Sequence, residues 1–262
     1  NTMYILSPAR DIEVGRIAIQ AGADAVYIGA PKFGARQAAG NSIEDIASLV
    51  QYANRFGVQV LVTLNTLLSD TERDEAVTMA KALYETGIYA LIVQDLTLAE
   101  RLRDECPNLR LHASTQCDNR TPEQVTRLRN MGFKRVVLAR ELTIDEIRSI
   151  HQAVPDIELE AFVHGALCVS YSGRCYMSEV LMTRSANRGC CAQMCRMAYD
   201  VLDKDFNEVI DDDGQPIHQR FVLSLQDMDR SLYLKQLIDA GVTTFKIEGR
   251  LKDADYVTNI VA

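Results

Sequence analysis

Gly22-Ala23-Asp24-Ala25-Val26-Tyr27-Ile28 sets a glycine a short step ahead of an apolar, β-branched and aromatic run, and the arrangement recurs along the chain. Gly57 stands before Gln59-Val60-Leu61-Val62-Thr63-Leu64, Gly87 before Ala90-Leu91-Ile92-Val93, Gly132 before Arg135-Val136-Val137-Leu138, and Gly241 before Thr244-Phe245-Lys246-Ile247. A glycine just past a helix supplies the left-handed turn that ends it, so each marks a passage from helix to strand. Tyr4-Ile5-Leu6 and the runs at 109–113 and 157–163 bring the candidate strands to eight. Helix starts lie between them at Ser42-Ile43-Glu44-Asp45, Thr121-Pro122-Glu123-Gln124 and Thr143-Ile144-Asp145-Glu146, where a hydroxyl can cap backbone N–H groups. Strands apolar at successive positions are buried on both faces, as in a parallel sheet covered by helices. Eight β-then-α units predict a (β/α)8 TIM-type barrel, with a doubly wound open sheet as the alternative.

The spacing fails once. Strand seven ends near His164 and strand eight begins near Thr243, leaving roughly 80 residues where a barrel repeat takes about 30. The reading is a single 1–262 (β/α)8-type domain with a Cys-rich, then acidic, insertion at 168–222 between strands 7 and 8. The acidic part, from Asp200-Val201-Leu202-Asp203-Lys204-Asp205 to Asp211-Asp212-Asp213-Gly214, reads as a solvated hairpin or loop. A last helix starting at Asp253 runs out at Ala262, so the C-terminal region of a longer protein is expected to be absent.

With 262 residues, 47% of them apolar and 24% charged, the chain can bury one sizeable core. Its net charge of -8 argues against nonspecific coating of nucleic acid, which is normally the work of basic chains, and leaves room for a local basic site. The longest apolar stretch is broken by Gln59, Thr63 and Asn65, well short of the ~20 residues of a membrane span. The N-terminus shows no signal-peptide pattern. The expectation is a cytoplasmic protein with no membrane partner.

Of seven cysteines, five crowd one segment: Cys168, Cys175, Cys190, Cys191 and Cys195. In a chain without an export signal, crowding favours metal ligation over disulfides. Within Cys168-x6-Cys175-x15-Cys191-x3-Cys195 only the last pair has the close spacing of zinc modules, which leans toward an iron-sulfur cluster on a long loop, zinc being the alternative. Four thiolates without a second set match one 4Fe-4S cluster. Cys190 reads as a bystander, Cys106 and Cys117 as structural. Arg174, Arg184, Arg188 and Arg196 accompany a single acid, Glu179. They would grip phosphate through their planar forks or offset the charge of thiolate ligands.

Barrel chemistry sits at the C-terminal strand ends, which converge on one face. Those ends carry Arg10, Arg36, Asn65, Gln116, Arg140 and Arg250 as candidate substrate-binding residues, and His164, Glu248 and Glu141 as candidates for moving protons. No His-Glu-x-x-His helix or Gly-x-Ser-x-Gly elbow is present in the sequence.

Longer motifs carry a resemblance: Leu6-Ser7-Pro8-Ala9, Gly22 to Gly29, His112-Ala113-Ser114-Thr115-Gln116, Phe162-Val163-His164-Gly165-Ala166-Leu167-Cys168, Ser172-Gly173-Arg174-Cys175 and Lys246-Ile247-Glu248-Gly249-Arg250. The chain resembles the collagenase-like peptidase U32 family from end to end. Phe33-Gly34-Ala35-Arg36, Thr63-Leu64-Asn65-Thr66 and Arg184-Ser185-Ala186-Asn187-Arg188-Gly189 look most like the branch that makes 5-hydroxycytidine in 23S rRNA. The resemblance implies a barrel-type catalytic domain, an iron-sulfur cluster and hydroxylation of an RNA pyrimidine linked to the metabolite prephenate. The RNA partner it implies is 23S rRNA or its precursor, and less so tRNA. Carried over residue by residue, the family's cysteine pattern falls on Cys168, Cys175, Cys191 and Cys195. Some relatives place their fourth cysteine after the acidic loop, where Ser224-Leu225-Gln226-Asp227-Met228-Asp229 has none. Alternatives are a collagenase-like peptidase, tRNA wobble-uridine hydroxylation, and a noncatalytic RNA-binding or assembly module.

Overall fold

In the computed structural model, which describes residues 2–35, 40–249 and 251–262, a closed parallel barrel is built from β1 (Tyr4–Ala9), β2 (Ala25–Gly29), β3 (Gln59–Leu64), β4 (Ala90–Val93), β5 (Leu111–Ala113), β6 (Arg135–Val137), β7 (Glu158–Gly165) and, after a two-residue strand β8 (Met228–Asp229), β9 (Val242–Ile247). Closure is set by two pairings that an open sheet lacks at its edges: β9 lies between β1 and β7, and β6 pairs with β7. β8 runs antiparallel to the end of β7, with Asp229 opposite His164. The six connecting helices are α1 (Ile12–Gln20), α2 (Ile43–Asn54), α3 (Asp70–Glu85), α4 (Leu96–Glu105), α5 (Pro122–Asn130) and α6 (Ile144–Ala153). α7 (Met177–Met182) and α8 (Leu234–Asp239) lie between β7 and β9, and α9 (Ala254–Val261) follows β9.

The unbroken apolar strands have a two-sided explanation. Successive side chains point to opposite faces, so Leu6, Ala25, Tyr27, Leu61, Ala90 and Ile92 fill the lumen, while Val26, Ile28, Val60, Val62, Leu91 and Val93 pack outward against the helices. Ser42, Thr121 and Thr143 are N-caps, the last two within full capping boxes. The five helix-to-strand glycines all have positive φ. At Gly241 (φ +102) a Cβ would also lie 2.2 Å from the His151 ring, so both conformation and space demand glycine there. The fifth strand is shorter than the run at 109–113, because the Leu109 N–H turns back to Cys106 O at 3.0 Å.

The lumen changes character on its β5–β9 side. Arg135 donates to Glu160 Oε2 at 3.2 Å and to Glu158 Oε2 at 2.9 Å, and Lys246 Nζ donates to Glu160 Oε1 at 2.7 Å. Lys246 Nζ lies 4.2 Å from the Tyr27 ring centroid. Past α7 the acidic stretch forms an exposed ladder with bridges Tyr199 to Arg220, Leu202 to Glu208 and Ile210 to Pro216, its turns held by Asp203 and Asp211. Among the described residues, no helix is long and apolar enough to cross a membrane.

Candidate active site at the barrel mouth

The floor of the mouth is a hydrogen-bonded polar layer. Buried Asn65, just past β3, accepts from the Ala35 N–H at 3.0 Å and donates to Ser114 Oγ at 3.2 Å. Ser114 Oγ caps the 3-10 turn Thr115–Cys117 by accepting from the Gln116 N–H, and Gln94 Nε2 donates to Gln116 O at 3.3 Å. Asn65 and Gln116 are therefore brought together, Gln116 through its backbone.

Over this floor the cysteine segment is clamped at two feet. At the first, Arg140 donates to Cys168 O (3.3 Å), Ser170 O (3.1 Å) and Ser172 Oγ (3.3 Å). Glu141 accepts from the Ser172 N–H at 2.8 Å. Arg174 Nε donates to Asp118 Oδ2 at 2.9 Å. The second foot rests beyond β3: the Leu67 N–H donates to Asn187 O at 3.0 Å, and Arg188 forks onto Glu72, the N3 residue of α3. That fork is the main reason the Glu72 carboxyl falls to about 2. Arg196 ties Leu167 O (2.7 Å), Leu225 O and Ser224 Oγ together between the feet. Three of the four segment arginines thus staple backbone or carboxylates.

Burial, then the proximity of Cys168, pushes the Cys195 thiol up; Cys191 and Cys175 add to the rise, while Arg196 opposes it. The other three thiols singled out by spacing therefore lie within electrostatic reach of Cys195, with the Arg196 guanidinium beside it. Cys191 Sγ also faces the Gln193 N–H at 3.4 Å and Ser178 Oγ at 3.9 Å. Cys190 turns its sulfur to Arg188 O. Cys117 is half-buried, desolvation pushing its thiol up to about 12, with its Sγ 3.5 Å from Gln94 O, and Cys106 is buried in the core. Among the described residues, no three His, Cys, Asp or Glu side chains close on a point that would hold one metal ion. A cavity of about 190 Å³ opens beside the first foot, lined by Arg140, Cys168, Tyr171 and Leu225 among others. A wider hollow of about 620 Å³, lined by Arg103, Arg127 and Ala153 among others, lies on the outer helical layer, away from the cysteines.

His164 and Glu248 meet at the ends of β7 and β9, the Glu248 N–H donating to His164 O at 2.8 Å. His164 Nδ1 is 2.9 Å from the Tyr256 hydroxyl, which burial pushes up to about 12. Arg10 stands apart from both groups: it is exposed and pairs with its neighbour Asp11, the N-cap of α1. Arg36 and Arg250 lie outside the described residues. Two residues of the site carry no sequence signal: Tyr256, inside the helix that starts at Asp253, and Asp118, whose role needs the loop after β5 folded against the cysteine segment. For Tyr171 the only signal was an aromatic inside a Cys/Arg-rich stretch.

Residues 10–262 match the model of peptidase family U32. The chain belongs to the peptidase U32 family. Within this family it is similar to the 23S rRNA 5-hydroxycytidine C2501 synthase of Escherichia coli, with 52% identity over 99% of this chain and 38% of that protein. It is also similar to tRNA hydroxylation protein P1 of Bacillus subtilis, with 37% identity over 98% of this chain and 61% of that protein. The chain therefore spans between about a third and two thirds of these relatives' lengths. Among solved structures, the U32 peptidase Mk0906 superposes with a TM-score of 0.59 at 13% identity, covering 95% of this chain and 93% of that one, a likeness of fold.

Proposed function

We propose that the chain is the catalytic barrel of an RNA pyrimidine hydroxylase that forms 5-hydroxycytidine in 23S rRNA. The observation that supports the reading is a segment bearing Cys168, Cys175, Cys191 and Cys195 docked on the barrel mouth through Arg140 and Glu141, in a chain 52% identical to a 23S rRNA 5-hydroxycytidine synthase. The donor set fits a 4Fe-4S cluster in its chemistry: four soft thiolates, N–H and O–H groups directed at one sulfur, and a nearby guanidinium to offset negative charge. Cys168, Cys175, Cys191 and Cys195 would hold the cluster, which when bound supplies electron transfer or an electrophilic site beside the substrate.

The rest falls to this chain's own residues. Arg140 and Glu141 fix the loop that carries Cys168, and with it the wall of the cavity. His164, with Nδ1 committed to Tyr256, keeps Nε2 to give or take a proton at the substrate ring. Prephenate as co-substrate rests on the family resemblance.

Deleting the gene should abolish 5-hydroxycytidine in 23S rRNA nucleosides analysed by mass spectrometry, and an unchanged level would overturn the rRNA assignment. Loss of a hydroxylated tRNA uridine instead would move the substrate to tRNA. Protein purified without oxygen should be brown, with iron and acid-labile sulfide near stoichiometric; colourless protein with tightly bound zinc would reject the cluster.

A further inference from the structure

Tyr171 is 60% exposed, yet its ring is backed. The Arg120 guanidinium carbon sits 4.4 Å from the ring centroid. Arg120 is in turn held by buried Asp118, its Nε donating to Oδ1 at 2.7 Å, and the other carboxylate oxygen takes Arg174. The backbone on either side of the tyrosine is pinned as well, Ser170 O by Arg140 and the Ser172 N–H by Glu141. An exposed loop tyrosine ordinarily gives up rotamer freedom when it binds; this one is ordered beforehand, with one face on a cation and the other toward solvent. The same ring lines the cavity of about 190 Å³ that Cys168 and Arg140 also line.

We propose that Tyr171 is the stacking platform for one unpaired pyrimidine of single-stranded RNA, which it delivers into the cavity beside Cys168. The inference rests on the RNA reading above. Every base offers a π-face to an aromatic ring, and a guanidinium behind that ring reinforces the stack. The cavity is smaller than the about 300–1,000 Å³ of pockets for drug-sized ligands, which suits a single ring and requires a base drawn out of any duplex. Arg120 on the ring and Arg174, whose backbone N–H donates to Tyr171 O at 3.0 Å, share the one Asp118 carboxylate, which leaves net positive charge beside the platform for an adjoining phosphate.

The chain contains no tryptophan, so Tyr171→Trp places a sole indole at the platform, and Tyr84→Trp, at the far end of α3, serves as its control. A short, cytidine-containing single-stranded RNA is titrated into anaerobically prepared protein, with binding followed separately by the anisotropy of labelled RNA. The expected result is quenching of the indole at 171 but not at 84, with Tyr171→Ala weakening RNA binding by about 5- to 150-fold and Tyr171→Phe staying near the parent. Iron content and thermal unfolding of the variants, if unchanged, show that the loop is still in place. If RNA binds Tyr171→Ala as tightly as the parent and leaves the indole at 171 unquenched, the platform is wrong and the RNA reading stands. Quenching by a gelatin peptide but not by RNA would assign the ring to a different ligand class and overturn the proposal. If no RNA binds any form, the reading beneath the proposal fails and the proposal with it.

Discussion

Glu160 accepts from two buried cations at once, Arg135 at 3.2 Å and Lys246 at 2.7 Å, inside the strand run Ile157-Glu158-Leu159-Glu160-Ala161-Phe162-Val163. Removing one member of such a set strands the others without water, which costs about 3–5 kcal/mol. Glu160→Ala should therefore lose that much in urea unfolding. A loss below about 1 kcal/mol would show that water reaches the lumen and replaces the carboxylate. His112 stands nearby, fully buried, and burial holds its imidazole neutral well below the ordinary range, with Arg135 and Arg110 adding to the push. The unfolded chain binds a proton at this ring below about pH 6.5, and the folded chain does not. Its contribution to stability is thus complete above that pH and shrinks as pH falls, by up to about 1.4 kcal/mol per pH unit. His112→Gln should flatten the fall in urea midpoint between pH 7 and pH 5, whereas parallel curves would contradict the buried neutral ring. Neither residue was legible as part of a network. Strand periodicity says which side chains face inward, but in a barrel "inward" is a lumen whose polarity no local pattern reports.

Helix and strand positions were readable because their signals are local: a hydroxyl before an apolar run, a glycine before a strand, and residues buried on both faces. Lumen and outer layer came out of the same runs. The cysteine segment was readable only as chemistry. Its shape comes from contacts such as Arg188 on Glu72 and Arg174 on Asp118, each joining residues far apart in the chain. Gly173 tests that docking most sharply. Its φ is +73, and a Cβ there would lie 2.1 Å from Gln116 O, a backbone atom that cannot swing aside. Gly173→Ala should lift the first foot off the barrel, with iron content falling severalfold while the barrel's far-UV circular dichroism and main thermal transition stay close to the parent. Full iron content in the alanine variant would mean that Cys168 and Cys175 are positioned without this contact.

For the molecule as a whole, the barrel supplies a ring of strand ends and the segment between β7 and β9 lays four thiols across it. Glu141, expected to move protons, accepts a loop N–H through one carboxylate oxygen, and Arg140 donates to three loop acceptors. Residue type at a strand end does not separate groups that hold the roof from groups that face a substrate, since arginine and glutamate serve both ends equally well. His164 gained a partner, Tyr256, from beyond the last strand. In the function proposed above, activity rests on the four thiols acting together. The most direct test is complementation of a deletion strain with single cysteine-to-serine variants, reading 5-hydroxycytidine in 23S rRNA by nucleoside mass spectrometry at matched protein levels. The account predicts that Cys168→Ser, Cys175→Ser, Cys191→Ser and Cys195→Ser each abolish the nucleoside while Cys190→Ser restores it. Restoration by Cys195→Ser, or failure of Cys190→Ser, would contradict the four-thiol centre.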